Sequence, residues 1–352
     1  MKNLNFFIFF IVNIVFSQNS NYTKSLNNGN KISYEKNDVV TNFKRYNLKG
    51  DLISSGSLTK LKILDEDFIL SGDFSTFYEK SLGNYFTKGQ KSSQIFYRFI
   101  NGNLNGLQYI DGYDWRKKQI IKKENYVVIV GNHLIGSSYK NNTNSKADKS
   151  YMHSKFIVEF SNWATLSFEK PYIFYTSTSL PTDYEDEELY YNLELMVKIF
   201  LDDFEAYLDH FYKVLLRDDF AKNNDLGYYL NKIQVIKTAI NNNKIYSVFE
   251  DLENNVMAKA FAINNDKEII LKVDQDKWVE SSFANRWYIL YHELGHDLLN
   301  FRHGQGGRMM FNYPTKIYTW EDFINDRHNM FVLFLKKIYP NYENLFIPFP
   351  TL

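Results

Sequence analysis

Between positions 193 and 215 apolar side chains recur every three or four residues: Leu193, Met196, Val197, Phe200, Phe204, Leu208, Phe211 and Leu215. That spacing draws one stripe along a long amphipathic helix whose apolar face packs a core. Upstream, Thr182 precedes Glu185 by three residues, the spacing of a capping box, so the helical region is expected to open just after Pro181. Past the stripe the period shortens. Ile233–Ile236, Ala258–Ile263 and Glu268–Val273 read as strands, the last two joined through Asn264-Asn265-Asp266. A second helical stripe follows at Phe283, Trp287, Leu290, Leu294 and Leu298, uninterrupted by proline and preceded by Ser281 and Ser282, either of which can cap it. Thr319-Trp320-Glu321-Asp322 opens a further helix through Phe331, Phe334 and Leu335.

The front half is patterned differently. Gly50, Gly56, Gly72, Gly83, Gly89, Gly102, Gly106 and Gly112 are half of the chain's 16 glycines. They separate short aromatic or β-branched runs at Asp67–Leu70, Phe74–Tyr78, Asn84–Thr87, Gln94–Ile100 and Leu107–Ile110. Short strands between glycine turns are the mark of antiparallel hairpins. Phe77-Tyr78, Phe96-Tyr97 and Tyr109 each precede a glycine-containing turn at a period of roughly twenty residues. This is loosely similar to the Gly/Tyr-rich MORN-type repeat; an ordinary sandwich or meander fits equally. Further strands are expected at Tyr126–Val130, Lys155–Phe160 and Tyr172–Tyr175, around a polar loop at Tyr139–Ser150. The chain therefore reads as α+β, with a β-hairpin-rich region over 18–180 and a mixed domain over 181–345.

The start of the chain changes the picture of where the protein works. Met1-Lys2-Asn3 leads into an apolar run from Leu4 to Phe16 and then Ser17-Gln18. One positive charge, about a dozen apolar residues and a small residue predict a secretory signal peptide over 1–17. The run is shorter than the about 20 apolar residues a membrane span needs. Without cysteine there is no lipid-attachment site, so a secreted or periplasmic protein with no stable membrane insertion after signal removal is expected. The same absence excludes disulfides, thiolate nucleophiles and Cys-ligated zinc. With 41 basic and 41 acidic side chains, nothing in the overall charge calls for nucleic acid.

The chemistry concentrates in the second stripe. His292, Glu293 and His296 form H-E-x-x-H. On a helix, residues four apart share a face, so both imidazoles reach one ion. Zn2+ takes neutral imidazole nitrogens, and Glu293 is placed to act as a base without being a ligand. Gly295 costs roughly 1 kcal/mol against alanine in a helix interior, so its presence points to close approach by another segment.

Here the chain resembles the metzincin-type zinc metallopeptidases, whose pattern is H-E-x-x-H-x-x-G-x-x-H followed by a Met-turn. Leu299 and Arg302 occupy the positions of the family glycine and third histidine; Asn300 and His303 lie one residue later and preserve the interval between them. Asparagine tolerates the left-handed conformation that glycine adopts at a helix end. The resemblance implies a zincin-like catalytic domain, with His292, His296 and His303 as zinc ligands and Glu293 as base. It also implies a methionine floor from Met309 or Met310, a weak oxyanion candidate in Tyr313, and peptide or protein substrate lying along an edge strand, expected at Glu268–Val273. In particular the chain looks like exported bacterial metallopeptidases of the Bacteroidetes type with H-E-L-G-H-D-x-L. A gluzincin-type alternative takes Glu321 as third ligand, although acidic residues in a first turn also serve the helix dipole. His210 and His328 lie in helical patterns and read as surface or packing residues. The expected activity is zinc-dependent peptide hydrolysis. The competing reading is a surface or periplasmic binding protein with a degenerate zinc site.

Overall fold

The computed structural model describes residues 20–25, 31–36, 40–46, 49–50, 52–59, 72–78, 93–100, 103–114, 119–138, 183–185, 187–217, 226–253, 256–263, 267–311 and 318–339. The expected signal peptide, the strands at 67–70, 84–87, 155–160 and 172–175, and Tyr313 lie outside them.

The front of the chain forms two antiparallel sheets. Strands β1 (Ser20–Ser25), β2 (Lys31–Lys36), β3 (Val40–Tyr46) and β4 (Leu52–Thr59) pair in chain order. The second sheet contains β5 (Gly72–Tyr78), β6 (Ser93–Ile100), β7 (Asn103–Leu104), β8 (Gly106–Asp114), β9 (Gln119–Val130), β10 (His133–Ser138) and β11 (Asp183–Glu185). Its order is β11-β10-β9-β8-β6-β5, with β7 paired to β6. Neighbours in sequence are neighbours in space, as glycine-punctuated hairpins dictate. The β9–β10 turn is Gly131-Asn132, both at positive φ (51° and 67°), the geometry of a two-residue hairpin turn. A Cβ at Gly131 would lie 2.6 Å from the Ile199 carbonyl oxygen, so the turn seats directly on a helix.

The back of the chain is mixed. Helices α1 (Glu187–Tyr191), α2 (Leu193–Arg217) and α3 (Leu226–Asn242) precede a small sheet of β12 (Lys244–Phe249), β13 (Ala258–Ile263) and β14 (Glu268–Val273). Its order is β12-β14-β13, with β12 parallel and β13 antiparallel to β14. Then come α4 (Gln275–Glu280), α5 (Phe283–Asp297), a 3-10 turn at Gly307–Met310 and α6 (Trp320–Ile338). Mixed helices and small sheets make the chain α+β.

Three expectations are corrected. Thr182 lies outside the described residues, and Glu185, the other end of the expected capping box, is in strand β11 (Asp183–Glu185), paired with β10, rather than in the first turn of a helix. The α2 cap is Asn192, whose Oδ1 accepts from Leu195 N at 3.0 Å. Ile233–Ile236 is helical, because Ile233 and Ile240 are buried and lie on one face of α3, and that face outweighs β-branched propensity. Glu268–Val273 is the central strand of its sheet; the edge beside α5 is β13.

One hydrophobic cluster spans the front and the back. Leu107, Val128, Val130 and Ile135 share it with the α2 stripe, with Trp287, Tyr291 and Leu294 of α5, and with Phe323 and Phe331 of α6. A buried polar knot crosses it. Asp203 of α2 pairs with Arg327 of α6 at 3.2 Å, and accepts from Asn105 at 2.9 Å and from Tyr291 at 2.8 Å. Burial is the largest single influence on Arg327 and opposes its charge, but Asp203, Tyr207 and Tyr291 together outweigh it and hold the guanidinium above its ordinary pKa. Burial, then the Asp203 charge, pushes Tyr291 well above its ordinary pKa and keeps it a donor. Tyr190 ties a second joint: its hydroxyl donates to Ile135 O and accepts from Trp287 Nε1, while its carbonyl accepts from Trp278 Nε1.

Asp203→Ala leaves Arg327 charged, buried and without its partner, which should cost about 3–5 kcal/mol in urea unfolding. A loss below 1 kcal/mol would show that the knot adds little to stability.

Candidate metal centre

The site is built where α5 ends. Ser282 caps its start, its Oγ accepting from Asn285 N at 3.3 Å, as either serine was expected to do. Trp287, Leu290, Tyr291 and Leu294 are buried, which fixes the helix rotation and leaves His292, Glu293 and His296 half-buried on another face. After Leu299 the chain reverses at Asn300, at a left-handed φ of 51°, and Phe301 N returns to Gly295 O at 3.1 Å. The reversal brings His303 back over the helix end.

The three imidazoles converge. His296 Nε2 lies 3.2 Å from His292 Nε2 and 3.1 Å from His303 Nε2, and one ligand atom from each ring falls within 4.8 Å of the others. Two backbone carbonyls orient the rings: Met309 O is 2.7 Å from His292 Nδ1, and Phe301 O is 2.7 Å from His296 Nδ1. A carbonyl only accepts, so each Nδ1 carries the proton and each Nε2 presents a lone pair. Burial pushes His292 down to about 4, against the pull of the Met309 carbonyl, and the neighbouring imidazoles lower it further. Local desolvation and then His296 lower His303 as well.

That arrangement fits zinc. Tetrahedral coordination at 2.0–2.1 Å sets ligand nitrogens roughly 3.3 Å apart, close to the two spacings that His296 makes, 3.2 Å and 3.1 Å, while the trio as a whole lies within 4.8 Å. Carbonyl contacts at the far nitrogen are the outer support that metal-binding histidines use.

Gly304 N bonds Met310 O at 2.9 Å and closes the loop past His303. The two methionines divide the work: Met309 supplies the carbonyl for His292, and Met310 packs under the helix. A Cβ at Gly295 would meet Met310 Sδ at 2.7 Å and Met330 Sδ at 3.1 Å, which explains the glycine.

Glu293 turns to the sheet. Its Oε2 accepts from Ala260 N at 3.0 Å. Burial pushes its carboxyl up to about 7; the Ala260 amide opposes the shift and Asp297 adds to it. Sequence reasoning missed the carbonyls of Met309 and Phe301 and the amide of Ala260, because backbone groups leave no mark in residue type.

The remaining candidates lie elsewhere. Glu321 sits in the first turn of α6, on the wall of a cleft of about 830 Å³ shared with Tyr109, Tyr126, Phe283, Tyr318 and Trp320. That cleft opens at the start of α5, roughly 14 Å along the helix axis from His292, so Glu321 does not join the histidines. His328 and His210 are buried, and His328 Nδ1 lies 2.9 Å from Tyr207 Oη.

Gly295→Ala should destabilise the fold by about 1–3 kcal/mol in urea, the reverse of the usual helix gain, because Met310 must move within a packed floor. The loss should shrink in a Met310→Ala background; a stabilised single variant would show the floor to be loose. In the metal-free protein the protonated Glu293 carboxyl, identified in infrared difference spectra by its absence in Glu293→Gln, should disappear as pH rises through about 7. Disappearance near 4.5 would mean a solvated side chain.

No family model, curated protein or solved structure matches this chain, so its chemistry is read from its own side chains.

Proposed function

We propose that the protein is an exported zinc-dependent metallopeptidase of metzincin-like design that hydrolyses peptide bonds in polypeptide substrates. The observation that carries the reading is the convergence of His292, His296 and His303, two of them with their protons fixed on the far nitrogen, beside a carboxylate that is not part of the trio. Three nitrogen ligands leave one tetrahedral position for a reactant, whereas a structural zinc site uses all four. When bound, zinc supplies Lewis-acid polarisation of a carbonyl and acidifies water at neutral pH.

The chain's own groups do the rest. Backbone carbonyls hold the imidazoles in one tautomer, so no reorganisation is needed for the site to function. Glu293, placed by α5 between the two helical histidines in sequence, takes a proton from water at Oε1, the oxygen that Ala260 does not occupy. It returns that proton to the departing amine nitrogen. A carboxyl raised by burial is a better proton acceptor once ionised, and a neighbouring cation favours the ionised form. Met310 beneath Gly295 keeps the helix end and the returning loop in fixed register.

Among the described residues no helix is long and apolar enough to cross a membrane. Export rests on the apolar run at Leu4–Phe16.

Glu293→Gln should retain stoichiometric zinc and lose peptide cleavage by about 10²–10⁴-fold. His303→Ala should lose both zinc affinity and cleavage. Unchanged cleavage of an unfolded casein substrate by Glu293→Gln would remove the residue from the mechanism.

A further inference from the structure

The cleft of about 830 Å³ lies between the front sheet and the starts of α5 and α6, roughly 14 Å along α5 from His292. Its volume is that of a small-molecule site. Among the described residues, the rings of Tyr109, Tyr126, Phe283, Tyr318 and Trp320 wall it, and aliphatic side chains contribute only Leu107, Val279 and Ala284. The rings are held from behind. Tyr109 and Tyr126 are cross-strand partners on β8 and β9. Tyr318 stacks on Tyr288, with centroids 3.5 Å apart and planes 7° from parallel. Tyr288 donates to the buried Asp326 at 3.1 Å, and Tyr318 N donates to Asn285 Oδ1 at 2.7 Å. Tyr288 therefore covers one face of the Tyr318 ring, and the cleft meets the other. Trp320 leans on β10 at Gly136, where a Cβ would lie 2.9 Å from Cζ2. Rings fixed in this way need little ordering when a ligand arrives.

Charge and backbone pairing narrow what fits. A cation is disfavoured because the Arg286 guanidinium, of like charge, already lies 4.6 Å from the centroid of the Phe283 ring. An anion meets the Glu321 carboxylate, while Arg286 commits Nε to Ser281 O at 3.1 Å and Nη2 to Val279 O at 2.9 Å. An added peptide strand finds no sheet edge, since β8 lies between β6 and β9, and β9 between β8 and β10. A purely apolar ligand would take water away from the Ser282 hydroxyl and from Glu321. What fits is a neutral molecule with apolar faces and hydroxyl edges. A sugar ring has both: C–H groups that lie on aromatic rings, and hydroxyls that donate and accept. We propose that this cleft binds a neutral oligosaccharide, stacked on the rings of Tyr318 and Tyr126 and hydrogen-bonded to Glu321 and Ser282. Ser282 Oγ accepts from Asn285 N, which leaves its own O–H to donate. The site is separate from the three histidines and does not rest on the peptidase reading.

Isothermal titration calorimetry of the full chain tests the assignment. The probes are cellohexaose, maltohexaose and N-acetylated chitohexaose. The chitosan hexamer serves as a cationic control and hexagalacturonate as an anionic one. At least one neutral probe should bind, and more tightly than either charged control. Tyr318→Ala and Tyr126→Ala should each weaken that binding by about twofold to tenfold, the worth of one ring contact. Tyr318→Phe keeps the ring and its stack on Tyr288, and should bind like the wild type. Glu321→Ala leaves every ring in place and should weaken binding several-fold, so the test stands even where loss of a ring unfolds the chain, as circular dichroism would show. No binding of any neutral probe overturns the proposal. Tighter binding of a charged control does so as well, as does unchanged affinity in Glu321→Ala together with the folded ring variants.

Discussion

Two imidazole Nε2 atoms lie 3.2 Å apart, each ring turned by a backbone carbonyl at its far nitrogen so that a lone pair can face its neighbour, a spacing that suits a cation between them. The arrangement around α5 holds them there. The buried stripe of α5 sets the rotation of the helix, Asn300 reverses the chain, Met310 fills the hollow at Gly295, and the Met309 and Phe301 carbonyls orient the rings. Bringing unshared pairs together costs free energy that the rest of the fold must supply, and preorganised ligands are what such a cost secures.

The site depends on contacts far from it in sequence. Tyr291, beside His292, is bonded to Asp203 of α2, which is held by Arg327 of α6 and Asn105 at the start of β8. Tyr190 joins β10, α4 and α5. The front sheet is therefore part of the frame that fixes the histidine-bearing helix α5, and among the described residues one hydrophobic cluster has members from Ile100 to Tyr339. A buried ionic knot is a costly way to gain stability, and its value here is in fixing how three helices and a sheet meet.

How much of this was legible in the sequence follows from which interactions are local. The α2 and α5 stripes, a serine cap before α5 and the start of α6 at Thr319–Asp322 are encoded within a few residues, and the pattern gives them correctly. The one-residue shift from Gly-x-x-His to Asn300-x-x-His303 was readable because asparagine is one of the few residues at ease with positive φ. The strand at Ile233–Ile236 was misread because a short β-branched run cannot be told from one face of a helix by composition. Glu185 falls in a strand rather than a helix start because sheet pairing of Asp183–Glu185 with β10, a long-range contact, decided that stretch. Glu268–Val273 was correctly a strand but wrongly an edge, since strand order is set by tertiary pairing with β12. The Ala260 amide, which holds Glu293, has no side-chain signature at all.

The central claim is that three histidines bind a single zinc and leave room for a reactant. X-ray absorption at the zinc edge of the intact protein measures it most directly. The account predicts one zinc per chain in a four-coordinate shell of three imidazole nitrogens and one light atom at about 2.0–2.1 Å. A shell containing fewer than three imidazoles, or no zinc retained after dialysis at neutral pH, would contradict it.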